Sequence, residues 1–275
     1  MDYAQETLEW RATMEAALRR EEGWLSLAGL FWLAPGPNPI GSAPHNRILL
    51  PAGTAPADAG SIALTGTEAV FHPAPGVGTM VNGEPVGSVV LQPDVSGAPT
   101  RVRVGDVTFV LLRRGERWGV RVWNRKHPAR TEFPGRRWYP IQGAYIRTAT
   151  FVHYDPPRPF RATNVLGDTD ESACPGHVEF DLGGSAARLL VNDADSDGLF
   201  IVFADPTNDG TTYPAGRFLR TPPVEGDRVR LDFNRAYNPP CAFTAYATCP
   251  LPPAENHLSM PVEAGEQIDP GWGDV

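Results

Sequence analysis

Lysine is almost absent from this chain of 275 residues: of 24 basic side chains, only Lys126 is not arginine. Schiff-base chemistry and lysine-dependent phosphate loops therefore have one candidate, in the loop-like stretch RKHPAR, where a solvated side chain is the plainer reading. Cysteine is scarce, with three residues. The N-terminal stretch MDYAQETLEW begins acidic and polar, without the basic and apolar regions of a secretory signal. Reduced thiols and a cytoplasmic location are the expectation, rather than a disulfide framework. Long hydrophobic runs are missing as well. WLSLAGLFWLA at 24–34 falls short of the ~20 residues that cross a bilayer, so it reads as a buried segment, and no membrane partner is expected. Positive charge is outweighed: a net charge of −8 argues against a nucleic-acid partner, because phosphate-backbone binders concentrate Lys and Arg. GxSxG, HExxH, GxxxxGK(S/T) and a strand-borne GxGxxG are all absent, which removes the common serine hydrolase, zincin and nucleotide classes and leaves no cofactor expected.

What is present is turn-forming material, with 28 Gly and 29 Pro. Residues 3–21 are rich in helix formers, and Tyr3, Trp10, Met14, Ala17 and Leu18 share a face, which predicts an amphipathic helix. Gly23 ends it, the apolar segment from Trp24 enters the core, and APGPNPIGS reads as a loop. From residue 46 onward the helical period gives way to eleven short β-branched or aromatic runs: SIALTG, EAVFH, GSVVLQ, TRVRV, VTFVLLR, WGVRVW, YIRTATFVHY, HVEFDL, ARLLV, LFIVFA and RVRLDF. Gly105-Asp106 supplies a two-residue hairpin turn. The expected fold is mainly β: an antiparallel β-sandwich or bent barrel with an N-terminal amphipathic helix. The expected organisation is a helix and apolar segment (1–45) packed on the core, a β-rich domain (46–267) and a tail (268–275).

Several stretches carry chemistry-bearing residues. NDADSDGLF places Asp193, Asp195 and Asp197 like the start of a calcium loop, but Ala204 stands where the bidentate Glu belongs, so an acidic turn is favoured and no metal is assigned. CPGH at 174–177 resembles half a zinc site without its other half, and a turn is favoured there. In FADPTNDGTTYPAGRFL, Tyr213 and Arg217 can aim donors at a carboxylate or phosphate, although Arg217 can instead pair structurally with Asp205 or Asp232.

In DFNRAYNPPCAFTAYATCPLPPAENHL, a strand hands over to a loop through Asp232, Asn234, Arg235, Tyr237 and Asn238. Two prolines then stiffen the approach to Cys241. Cys241 reads as a nucleophile activated by Arg235, Arg217, His257 or His153, as one half of a metal-binding or redox pair with Cys249, or as a small buried hydrophobe. Asp232 is a candidate base. The asparagines either tie the loop together or touch substrate.

These last two motifs, with RVWNRKHPARTEFPGRRWYP upstream and a closing AGE, closely resemble the DUF1684 family, a bacterial and archaeal group without a known function. The likeness spans about residues 60–266. It departs from the family pattern at Asn124, where members often carry an acidic residue, and at Ala245, where they often carry Pro. The resemblance implies a family and no activity. The residues themselves suggest a small-molecule hydrolase, if an enzyme at all, with Cys241 and Asp232 catalytic. Arg217, Arg235, Tyr213, Tyr237, Asn234 and Asn238 would bind the substrate. The alternative is a non-catalytic β-barrel that holds a small anionic ligand.

Overall fold

The computed structural model describes residues 2–269 and 271. The chain divides into two compact units, one formed by residues 16–133 and the other by residues 1–15 with 134–275. Of the tail expected at 268–275, Pro270 and residues 272–275 lie outside the described residues. Among the described residues no helix is long and apolar enough to cross a membrane.

The 16–133 unit is a sandwich of two sheets. The first has the strand order Leu27–Trp32, Arg117–Asn124, Val107–Arg114, Val102–Val104, Thr79–Val81, Glu84–Pro85. The second runs Ile48–Leu49, Gly36–Gly41, Gly60–Thr65, Glu68–Pro73, Val89–Val90. Period-2 alternation gives each sheet an apolar inner face, and Ile40, Ile62 and Phe71 of one share a dry core with Val102, Phe109 and Val120 of the other. Gly105 and Asp106 turn the hairpin as expected: Val104 lies opposite Val107, and Gly105 takes φ +61°.

APGPNPIGS is not a plain loop, because Gly36–Gly41 is a strand paired with Gly60–Thr65. Pro37 and Pro39 are two apart, so their missing N–H groups fall on one side of the strand. The neighbour on that side, Ile48–Leu49, pairs only at Ile40 and Gly41, and the prolines therefore cost the sheet no bonds.

The other unit packs a four-stranded sheet, ordered Ser185–Leu190, Thr169–Leu182, Ile146–Thr163, Arg228–Asp232, against a three-stranded one, Asp193–Asp195, Gly198–Phe203, Arg217–Arg220. Val178, Leu189 and Leu231 from the first meet Ile201, Phe203 and Leu219 from the second in a core of their own. The N-terminal helix is Tyr3–Leu18, covered at positions 3, 4, 7, 10, 11, 14, 15, 17 and 18 and exposed at the others. Its covered face is more polar than a simple apolar stripe, since it carries Thr7 and Arg11 beside Trp10 and Met14.

All eleven runs read from the sequence are strands, and the molecule is mainly β with antiparallel, sandwich-like sheets. Among the described residues no sheet closes into a barrel. CPGH is part of the strand Thr169–Leu182 rather than a turn, and the irregularity there is a register shift between His153 and Arg158 on the partner strand.

Candidate functional site

Strand Arg228–Asp232 sends Val229 and Leu231 into the core and turns Arg230 and Asp232 the other way. Asp232 is nevertheless buried, because the first turn of the N-terminal helix sets the Tyr3 hydroxyl 2.8 and 2.9 Å from its two oxygens. Asn234 Nδ2 at 3.3 Å and Arg230 Nη2 at 3.3 Å also donate to this carboxylate, and Arg235 Nε lies 3.5 Å away. A carboxylate held by so many donors orients its neighbours.

Beside this cluster opens a cavity of about 360 Å³. Three guanidinium groups (Arg220, Arg230, Arg235) and two carboxylates (Glu6, Asp232) line it, with Trp10, Met14, Pro222, Thr221 and Tyr237 as walls. Glu6, Trp10 and Met14 are four residues apart along the helix and so present one stripe to the cavity. The carboxylates are already engaged: Arg235 Nη2 lies 2.6 Å from Glu6 and holds that carboxyl below its usual range. Burial pushes the Tyr237 hydroxyl above its ordinary value, opposed by the nearby charge and hydrogen bond of Arg220, so Tyr237 enters the cavity protonated. Arg220 is half-exposed and lies 3.8 Å from Asp195.

Arg217, three residues before Arg220, has a different fate. It is fully buried and paired with Asp205 at 2.6 Å, and it donates to the carbonyls of Val262 and Ala264. Asp205 also caps the short helix Pro206–Asp209, and Asn208 donates to the Tyr213 carbonyl. Gly216 at φ +88° lets the chain pass the Phe203 carbonyl, which a Cβ would approach to 2.6 Å. The motif FADPTNDGTTYPAGRFL thus builds a scaffold in which Arg217 is wholly enclosed.

The asparagines are structural as well. Asn234 brackets the Gln142 backbone with bonds of 2.9 Å in each direction, and Asn238 donates its backbone N–H to Glu266 and its side-chain amide to the Gln267 carbonyl. Asn256 pins the strands ending at Leu190 and Val202. Cys241 does not line the arginine cavity; its partners are Tyr213, whose hydroxyl donates to its carbonyl at 3.1 Å, and Cys249, whose sulfur accepts its N–H at 3.1 Å. The arginines and histidines expected beside this thiol are not the groups that meet it.

Of the eight residues read from the sequence, the cavity therefore gathers Asp232, Arg235 and Tyr237, with Asn234 behind Asp232. Tyr213 and Cys241 form a separate cluster, and Arg217 and Asn238 belong to the scaffold. Sequence reading missed Glu6, Trp10, Arg220 and Arg230. The alternation in RVRLD was the available signal for Arg230, which shares a strand face with Asp232. No local signal marks Glu6 or Trp10, whose places depend on where the helix docks.

The acidic turn is also what NDADSDGLF forms: Asp195 accepts the N–H groups of Asp197 and Gly198 at 2.8 and 3.1 Å, between the paired strands Asp193–Asp195 and Gly198–Phe203. Among the described residues no group of three or more His, Cys, Asp or Glu side chains is placed to hold a metal ion.

Residues 131–267 match a family described as "Protein of unknown function (DUF1684)". The match begins well after residue 60, so the strands of the 16–133 unit fall almost wholly outside it. An uncharacterized protein of Haloarcula marismortui, solved by solution NMR, is similar at 32% identity over 52% of this chain and 80% of its own, with a TM-score of 0.43. No curated protein matches the chain.

Proposed function

Over residues 131–267 the chain belongs to the DUF1684 family, which brings no activity with it; from the cavity itself we propose that the protein binds a small organic anion. The observation that carries this reading is the charge count at the cavity, three guanidinium groups against two carboxylates that are already engaged, in a chain whose net charge is −8. Arg220 and Arg230, at the rim, would grip a carboxylate or phosphate, the chemistry to which a planar fork of donors is suited. Tyr237 would add a neutral donor. Trp10, Met14 and Pro222 would cover the apolar part of the ligand, and a volume of about 360 Å³ sets a limit at the small end of ligand pockets. Arg235, locked between Glu6 and Asp232, would shape the wall. Binding is favoured over hydrolysis because the two groups expected to do the hydrolytic chemistry are not available together: Asp232 is saturated with donors, and Cys241 lies outside the cavity.

The test is a calorimetric screen of aliphatic and aromatic carboxylates and phosphomonoesters at low salt. A charge-assisted hydrogen bond contributes about 1.5–3 kcal/mol, so Arg220→Gln or Arg230→Gln should weaken a bound member of the panel by roughly 10- to 100-fold. Should no member bind at millimolar concentration, or should a binder be indifferent to both substitutions, the reading is wrong.

A further inference from the structure

The cluster at Cys241 is independent of the arginine cavity. Asn238, Pro239 and Pro240 lead stiffly into a 3-10 turn, Pro240–Ala242, which presents Cys241 partly exposed. Cys249, eight residues on, is buried at 4% exposure, and its sulfur sits 3.1 Å from the Cys241 backbone nitrogen. That contact keeps the two sulfurs within a side chain's length of each other. Neither is in a disulfide. Tyr213 completes the group, with its hydroxyl donating to the Cys241 carbonyl at 3.1 Å.

We propose that Cys241 and Cys249 form a peroxide-oxidisable dithiol, with the partly exposed Cys241 as the attacking sulfur and the buried Cys249 as the resolving one. The neighbouring Cys249 thiol, and after it Tyr213, favour the Cys241 thiolate and lower its pKa against the effect of burial. Burial keeps Tyr213 itself protonated and therefore a donor.

The chemistry balances with a hydroperoxide as oxidant. The Cys241 thiolate attacks one peroxide oxygen; an S–O bond forms, the O–O bond breaks, and the leaving alkoxide or hydroxide takes up a proton. The Cys249 sulfur then attacks the Cys241 sulfenic acid; the S–S bond forms, the S–O bond breaks, and hydroxide leaves as water with the Cys249 proton. Two electrons pass from the dithiol to the peroxide, and a small thiol returns them by exchange. Cys174 has no part: it is buried in strand Thr169–Leu182 with its thiol donating to the Gly176 carbonyl.

The test treats the whole chain with one to a few equivalents of hydrogen peroxide at pH 7, quenches it, alkylates under denaturing conditions and maps the peptides by mass. The expected result is a cross-linked 241–249 peptide, reversed by dithiothreitol, with Cys174 still alkylated. In Cys249→Ser, dimedone should trap a sulfenic acid at Cys241; in Cys241→Ser, neither product should form. Tyr213→Phe should slow the oxidation several-fold. The proposal is overturned if both thiols of the wild type survive the treatment. It is equally overturned if Cys174 oxidises first, or if native mass spectrometry shows the pair occupied by zinc. The wild-type peptide map decides the matter even where a variant fails to fold.

Discussion

Glu266 shows how much one buried carboxyl can contribute. It is 1% exposed, paired with the equally hidden Arg136, and accepts the Asn238 N–H at 2.8 Å, yet burial raises its pKa from 4.5 to about 7. Desolvation here outweighs the guanidinium and the hydrogen bond. Between those two pH values the folded protein holds a proton that the unfolded chain has already released, so this group favours folding most fully below pH 4.5. Its contribution is lost as the pH climbs through 7, by about 3 kcal/mol at most. Urea denaturation between pH 4.5 and 8 should show that downward slope, and Glu266→Gln should flatten it whatever it does to absolute stability. A slope unchanged in the variant would mean that another group is responsible. The same competition explains why Asp205 and Arg217 were hard to place from sequence: a buried pair and a ligand-binding pair draw on the same residue types.

Among the elements, strand Gly36–Gly41 depends most on a single side chain. Asn38 is fully buried; its amide donates to the carbonyls of Ala34, Gly36 and Ile62, and its oxygen accepts the Ala34 N–H. These bonds tie the approach at Ala34 and the neighbouring strand at Ile62 to Gly36–Gly41. Asn38→Ala should leave several backbone groups unsatisfied and cost about 2–4 kcal/mol in equilibrium unfolding, whereas an exposed polar residue truncated to Ala costs a few tenths. A loss below about 1 kcal/mol would show that water replaces the amide. The eleven regular strands were legible because a β-branched run bounded by Gly or Pro is a local pattern. Gly36–Gly41 was not, since two prolines signal a break unless the open edge of the sheet is known, and Arg217–Arg220 was hidden because its polar ends look like loop residues.

Among the described residues the two largest hydrophobic cores lie one in each unit, and the core of residues 16–133 draws only on residues of that unit. That unit is continuous in sequence, so a fragment spanning 16–133 should fold alone, with a β-type circular dichroism spectrum and one cooperative thermal transition. A fragment that stays unfolded or aggregates would show that its core is insufficient. The other unit is discontinuous, taking its first fifteen residues from the far end of the chain, and those residues carry Tyr3, Glu6, Trp10 and Met14 to the cavity and its Asp232 cluster. By itself the sequence determined the β class, the strand alternation, the Gly105-Asp106 hairpin and the segment around Asp232 as a place of interest, because each is a matter of neighbours along the chain. Only the tertiary structure decided which arginine faces the cavity. Arg217 and Arg220 stand three residues apart on one strand, and it was the burial of Asp205 beneath one and the packing of a distant helix beside the other that sent the first into the core and left the second at the rim.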